Sequence, residues 1–455
     1  MSFELTKSLL ERLQDDVEEG RDSDILSVVS ELHPADIGGV LDRLSPDEAR
    51  YVLRLLEPET AAEAILELDE DVREKLLEGL TSQEIAEKVI ENIESDDAAL
   101  VMSELPEDKA KEVLDLLEDA EQADDIEELL GYEDGTAGAI MGKELVKVRS
   151  DWTVARAILE MRRQAEEVDQ VYTVYVVDKD ERLLGILPLK QLLFSAESTR
   201  TLIKHICDED VVSVKVDDDA EDVVSTMKKY DVVVLPVVTE DGRLTGRITF
   251  DDVMDVMEEE AEKDYQMASG ISGSVDSDDK VLRLTRARLP WLLIGLVGVI
   301  LVANVISLYE EQLRIDPKLA FFIPLIAAMG GNVGVQSSAI IVQGLANRTI
   351  ATGGIVARLM KELSVALLNA LVCGALILVY NLTIGSAQPL SFTVSIALFT
   401  VIIFAALFGT LTPLLLDRVK VDPALATGPF ITTLNDIFGL IVYFVVGRLL
   451  YGMPW

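Results

Sequence analysis

Asp436 lies near the middle of an otherwise apolar run, Asp422 to Tyr451. An ionised carboxylate at mid-bilayer costs several kcal/mol, so such a residue lines a wet path, pairs with another group, or marks a site of ion passage. Thr432 stands one turn earlier and shares its helical face, while Asn435 is adjacent in sequence. One carboxylate cannot balance a divalent ion, but two related by a dimer axis can. A strongly hydrated cation is better passed by carboxylates that reach it through retained water than by a dry cage. A second polar stretch, Gly330-Gly-Asn-Val-Gly-Val-Gln336, interrupts another apolar run. Gly330 and Gly334 have the GxxxG spacing of close helix packing. Asn332 and Gln336, one turn apart, are costly against lipid and are expected at a helix interface or a wet cavity. A break in the helix at Gly330, Gly331 and Asn332 would instead present carbonyl oxygens to a hard cation or its waters. Pro413 and Gly428-Pro429 either loosen their helices near such a path or only kink them.

These residues require membrane helices to position them. Five apolar segments are long enough to span: about 289–308, 319–346, 363–384, 390–416 and 423–451. Arg283, Arg286 and Arg288, then Arg348, Arg358 and Lys361, then Arg418 and Lys420 all fall on one side, which the positive-inside rule makes cytoplasmic. The N-terminal part is then cytoplasmic and the C-terminus outside, with Arg448 near the outer end able to snorkel. Met1 to Leu10 has neither a basic start nor a long apolar core, so no cleavable signal peptide is expected.

The charge is divided unevenly. Residues 1–280 hold 74 acids and 29 bases, against 7 and 11 in the remainder. A part carrying a net charge of −45 repels nucleic acid and anionic headgroups and attracts cations, and most of its carboxylates need be no more than a soluble surface. Cys207 and Cys373 are isolated, as are His33 and His205, so neither a disulfide framework nor a zinc site is expected. No nucleophile and base pair appears, which argues against an enzyme.

Residues 1–131 read as an acidic domain of successive short helices, with restarts at Leu44-Ser-Pro, Leu56-Glu-Pro, Leu80-Thr-Ser and Leu105-Pro. A helix-turn-helix stack of the solenoid kind fits them. Over 132–257 a strand, helix, strand, turn and strand pattern occurs twice. Val171 to Leu189 and Val232 to Thr249 correspond, with Gly185 and Gly246 in equivalent places. The Leu235-Pro-Val-Val and Gly242-Arg-Leu-Thr-Gly246 pattern resembles a pair of cystathionine-beta-synthase (CBS) modules, small regulatory units that sense adenine nucleotides or ions. An acidic amphipathic helix with Val253, Met257 and Ala261 at four-residue spacing, widened by Met254, follows within a connecting region 253–280 that ends in a Gly/Ser/Asp linker, Ser269 to Asp279. Neither Asp178-Lys-Asp nor Asp217-Asp-Asp continues as an EF-hand.

The order of these parts, with Gly-Gly-Asn-x-Gly-x-Gln in the second span and Asp422-Pro-Ala-Leu before Asn435-Asp436, resembles the MgtE family of magnesium channels over essentially the whole chain. The resemblance implies a multidomain fold: a solenoid-like helical N-domain, an α/β CBS pair, and an all-α transmembrane bundle of five helices per chain, 281–455. It further implies a cell-membrane homodimer with hydrated Mg²⁺ at Asp436 on the two-fold axis, closed when cytoplasmic Mg²⁺ rises. Sensing positions carried over from the family are Asp96, Glu221, Asp231, Asp252, Asp255, Glu260 and Asp422, with the acidic helix as a plug and ATP as a further ligand of the CBS pair. Lys263 and Leu100 depart from that pattern where acids are expected. A proton- or sodium-coupled divalent-cation transporter would use the same intramembrane aspartate.

Overall fold

The computed structural model describes residues 5–165, 168, 170–194, 200–273, 275, 279–346, 355–426 and 428–451. Residues 1–4, Arg348 and part of the predicted linker, Ser274 and 276–278, lie outside the described residues. The chain divides into two units, 1–258 and 259–455.

The first unit opens with α1 (Lys7–Glu18), α2 (Asp22–Val29), α3 (Pro34–Leu41), α4 (Pro46–Leu55), α5 (Pro58–Leu66), α6 (Glu70–Glu78), α7 (Ser82–Lys88), α8 (Ser95–Ser103), α9 (Glu107–Leu114) and α10 (Ala120–Leu129). Pro34, Pro46 and Pro58 take the first helical turn, where a missing N–H costs nothing. Ser45 with Glu48, and Thr81 with Glu84, form capping boxes. Side chains then reach across a separation of about thirty residues: Arg54 to Glu84 (2.8 Å), Arg73 to Glu104 (2.9 Å) and Ser82 to Glu112 (2.8 Å). Lys109 donates to the carbonyls of Leu77 (2.8 Å) and Leu80 (2.7 Å), and Gln122 to that of Ile90 (2.9 Å), so these side chains satisfy helix-end carbonyls of earlier helices. This is a helical stack around a core that includes Leu13, Ile37, Leu53, Ile65, Leu76 and Ile85.

The α/β repeat follows. β1 (Val146–Arg149), α11 (Val154–Gln164), β2 (Val174–Val177), β3 (Leu183–Leu187) and α12 (Leu189–Phe194) form the first copy. β4 (Val214–Lys215), α13 (Ala220–Tyr230), β5 (Val234–Val238) and β6 (Leu244–Thr249) form the second. In each, the middle strand pairs parallel to the first and antiparallel to the third. Val176 faces Gly185 and Val237 faces Gly246, with a register shift after each valine, so the two copies match to the residue. β4 is short, its ladder with β5 pairing Val214 with Val237 and Lys215 with Val238. Both glycines admit a crossing segment. A Cβ on Gly185 would meet the Asp208 carbonyl oxygen at 2.3 Å, and one on Gly246 the Gly142 carbonyl oxygen at 2.9 Å.

α14 (Phe250–Ala268) carries the acidic sequence. Val253 enters the core of the second repeat, but Met254 and Met257 remain 49% and 44% exposed among the described residues.

The second unit contains α15 (Val281–Leu308), a short α16 (Glu310–Ile315), α17 (Ile323–Ala346), α18 (Ile355–Thr383), α19 (Gln388–Arg418) and α20 (Gly428–Leu450). Five helical segments, α17 together with the preceding turn from Pro317, are long and apolar enough to cross a membrane among the described residues. α19 is the packing centre, burying Val394, Ala397, Val401, Ala405 and Gly409 along its length, whereas α15 exposes Leu292, Leu296 and Val299 as a lipid-facing helix does. α17 is helical throughout, so the break considered at Gly330, Gly331 and Asn332 is absent and their carbonyls are not released as ligands. The glycines instead form a packing face: a Cβ on Gly409 would meet the Gly334 carbonyl oxygen at 2.4 Å, and one on Gly330 would press on Val401 at 3.2 Å. α20 begins later than the apolar run because Pro423–Ala426 forms a tight turn. Gly428 then adopts φ +58°, with its Cα facing the Ala268 carbonyl oxygen, which a Cβ would approach to 2.6 Å.

Candidate metal centres

Two helix N-termini supply the first centre, which lies within the first unit. Asp96 and Asp97 occupy the first turn of α8, and Asp251 and Asp252 that of α14, positions where the helix dipole favours anions. Asp252 is held by Thr249, whose backbone N–H (2.7 Å) and hydroxyl (2.9 Å) both donate to it. Glu144 accepts from the Ser95 backbone N–H (2.9 Å) and hydroxyl (3.0 Å). Glu94 takes both its bonds to Arg247 from one guanidinium nitrogen, at 2.8 and 2.9 Å. One carboxylate oxygen from each of Glu94, Asp96 and Glu144 lies within 4.8 Å of the others. Glu94 and Asp96 also line a cleft of about 190 Å³, together with Glu63, Asp97, Asp251 and Asp252 among others.

Opposite ligands on an octahedral Mg²⁺ stand about 4.2 Å apart, so an all-oxygen set of this span fits a hard, hydrated dication. Crowding shows in the acidities. Burial, then Asp252, Asp97 and Glu144, push the Asp96 carboxyl well above the ordinary aspartate range. Burial followed by Asp252 and Glu94 raises Asp97 to about 7. Asp252 and Asp255 are raised too, chiefly by burial, with Asp251 adding repulsion in both.

Of the sensing positions expected from sequence, Asp96, Asp252 and Asp255 share this acidic neighbourhood. Glu94, Asp97 and Glu144 were not in that set. Glu144 stands 49 residues from its partner Ser95, a separation that carries no sequence signal. Leu100, where an acid was expected, is 49% exposed and does not line the cleft. Glu221 and Asp231 sit at opposite ends of α13 and do not converge within the chain; Asp231 is its left-handed C-cap at φ 54°. Glu260 is paired with Lys263 at 2.9 Å.

The second unit holds the other centre. At the start of its last span, Asp422 accepts from the Ala424 N–H at 2.8 Å. Asp264 on α14 is raised by burial, then by Asp422 and by Glu260, so these acids face one another. Deeper in α20, Asp436 is half-buried, and no charged group or hydrogen-bond donor among the described residues acts on its carboxylate. Thr432 donates to the Pro429 carbonyl at 3.1 Å. Its methyl lies 3.5 Å from the Cβ position of Gly331. Asn435 is 1% exposed and seated against Gly330 and Gly334, with both amide atoms unbonded among the described residues. Asn332 and Gln336 are exposed on a single chain.

Sequence comparison bears on both centres. A divalent cation transporter profile, MgtE, matches residues 323–446, the MgtE intracellular N domain matches 32–135, and CBS domains match 137–197 and 203–259. The magnesium transporter MgtE of Enterococcus faecalis is 37% identical over 71% of each chain. The chain belongs to the MgtE family. The Thermus thermophilus member is likewise 37% identical, over 72% of each chain. The crystal structure of the cytosolic domain of the Mg²⁺ channel MgtE in complex with ATP is 35% identical, covering 54% of this chain and 99% of that one with a TM-score of 0.50. MgtE proteins are transporters and not enzymes, and the five apolar helices of this member make it a membrane protein.

The raised acids give a stability prediction. A carboxyl whose folded-state pKa lies above its unfolded value stabilises the fold when protonated, and that contribution is lost as pH rises through the folded pKa. For Asp97 the window runs from 3.8 to about 7. The metal-free protein is expected to lose on the order of 2 kcal/mol from this residue across that window, after allowance for solvent screening. Thermal unfolding at pH 5 and pH 8, with and without Mg²⁺, measures it. Mg²⁺ should flatten the profile, whereas a metal-free Tm independent of pH would contradict the crowding.

Proposed function

We propose that this MgtE member is a Mg²⁺ channel that works as a homodimer, admits magnesium to the cytoplasm and closes when cytoplasmic Mg²⁺ fills its acidic centres. The observation that carries the reading is Asp436, a carboxylate in a membrane helix with no partner in its own chain among the described residues. A second chain places another Asp436 across the axis, and the two charges balance one hydrated dication. The magnesium transporters of E. faecalis and T. thermophilus support Mg²⁺ as the cation.

Closure follows from electrostatics. With Asp96, Asp97, Glu94, Glu144, Asp252 and Asp255 crowded and unbridged, the N-domain and the CBS pair repel one another; a dication reverses the sign. Glu221, Asp231 and Glu260 complete further sites with groups from the second chain, and Asp422 with Asp264 couples the plug helix to the pore mouth. The CBS pair binds ATP, a reading supported by the related cytosolic domain. The N-terminal unit lies in the cytoplasm and the C-terminus outside.

Limited proteolysis tests the sensing half. Mg²⁺ in the millimolar range is expected to protect the segment between the CBS pair and the first span. Identical digestion with and without the ion would count against it. Flux that persists when proton and sodium gradients are collapsed separates a channel from a coupled transporter.

A further inference from the structure

Arg247 is a cation set among the acids of the first centre. It lies on β6, is 4% exposed, and lines the same cleft as Asp96, Asp97 and Asp252. Its backbone exchanges hydrogen bonds with Gly142, at 2.9 Å from its N–H and 2.8 Å to its carbonyl. One terminal nitrogen donates to both oxygens of Glu94, at 2.8 and 2.9 Å, and the other to the Gln170 carbonyl at 2.9 Å, with the guanidinium carbon 5.6 Å from the centroid of the Tyr172 ring. The side chain is therefore fixed from three directions. A guanidinium keeps its charge at any physiological pH. Glu94 is also one of the three carboxylates whose oxygens lie within 4.8 Å. The same acid thus serves the arginine and the candidate metal set.

We propose that Arg247 is a resident counter-cation that holds Glu94 in place of a dication and so sets the Mg²⁺ concentration at which the cleft fills. This rests on the reading of the cleft as a Mg²⁺ sensor. To take Glu94, an incoming ion must share an oxygen with the guanidinium or displace it, and it enters a site already carrying one positive charge. Without the arginine, a largely buried Glu94 loses its counter-charge until metal arrives. Two effects of opposite appearance then share one cause: the metal-free form is less stable, and the metal binds more tightly.

The test is a Mg²⁺ titration of thermal stability on the full-length protein in detergent, comparing wild type, Arg247→Met and Arg247→Lys. Arg247→Met is expected to lower the metal-free Tm, to enlarge the rise on adding Mg²⁺, and to shift the midpoint about ten-fold toward lower Mg²⁺. Arg247→Lys, which keeps the charge, should stay close to the wild-type midpoint. If Arg247→Met does not fold, Arg247→Gln carries the same expectation. A merely structural arginine would lower Tm equally with and without Mg²⁺ and leave the midpoint in place, and that result overturns the proposal. A wild type that does not respond to Mg²⁺ removes the sensor reading and this inference together; a responsive wild type with an unmoved variant midpoint removes this inference alone.

Discussion

Asp436→Ala is expected to abolish Mg²⁺ flux in proteoliposomes, by more than about a hundred-fold, while leaving the protein folded and its assembly intact. The magnitude follows from what a dication loses. At mid-bilayer even a single unit charge costs several kcal/mol, and every 1.4 kcal/mol is a factor of ten. In the proposed dimer the substitution removes both compensating charges at once. The neighbouring polar residue cannot take over, because Asn435 is 1% exposed and packed against Gly334 inside its own chain. The fold should tolerate the change, since no hydrogen bond or ion pair to Asp436 is lost among the described residues. Asp436→Asn, which keeps the volume, should be equally inactive, and that separates charge from packing. Stopped-flow uptake into vesicles loaded with a Mg²⁺ indicator, with size-exclusion profiles of each variant, reads both quantities; wild-type flux in the alanine variant would sink the pore assignment.

The parts of this molecule set by local chemistry were legible in the sequence. Proline at helix starts, the Ser45 and Thr81 caps and the matched Gly185 and Gly246 all act within a few residues or repeat at a fixed interval. What depends on distant pairings was not. Glu94 and Arg247 are 153 residues apart, and nothing in either neighbourhood announces the other. The second span left two readings open, close packing through Gly330 and Gly334 or a break in the helix. Glycine and asparagine weaken an isolated helix, so Gly330-Gly-Asn suggests a break, yet α17 remains helical, with Gly330 admitting Val401 and Gly334 admitting Gly409 and Asn435 at close range. Packing decided what propensity could not. The same contacts separate Asn435, which faces the bundle, from Asp436, one residue on and more open.

Removing the carboxylate of Asp96 should uncouple flux from cytoplasmic Mg²⁺. Two consequences of Asp96→Ala oppose each other. Loss of one negative charge relieves repulsion and favours the compact, closed arrangement, while loss of an oxygen from the set shared with Glu94 and Glu144 weakens the ion that bridges it. The surroundings decide between them. Asp97, Asp252 and Asp255 keep their mutual repulsion, to which Asp251 also contributes, so most of the force opening the cleft survives. The ligand lost is the one whose oxygen lies 3.1 Å from the Cβ position of Gly142, beside Glu144 at 3.3 Å, one of only three oxygens in that set. Ligand loss therefore wins, and closure should need at least about ten-fold more Mg²⁺. Inside-out patches perfused with stepped Mg²⁺ would show currents persisting at concentrations that silence the wild type. A variant silent at every concentration would mean that relief of repulsion outweighs the bridge, and an unchanged closing curve would remove this cleft from gating altogether.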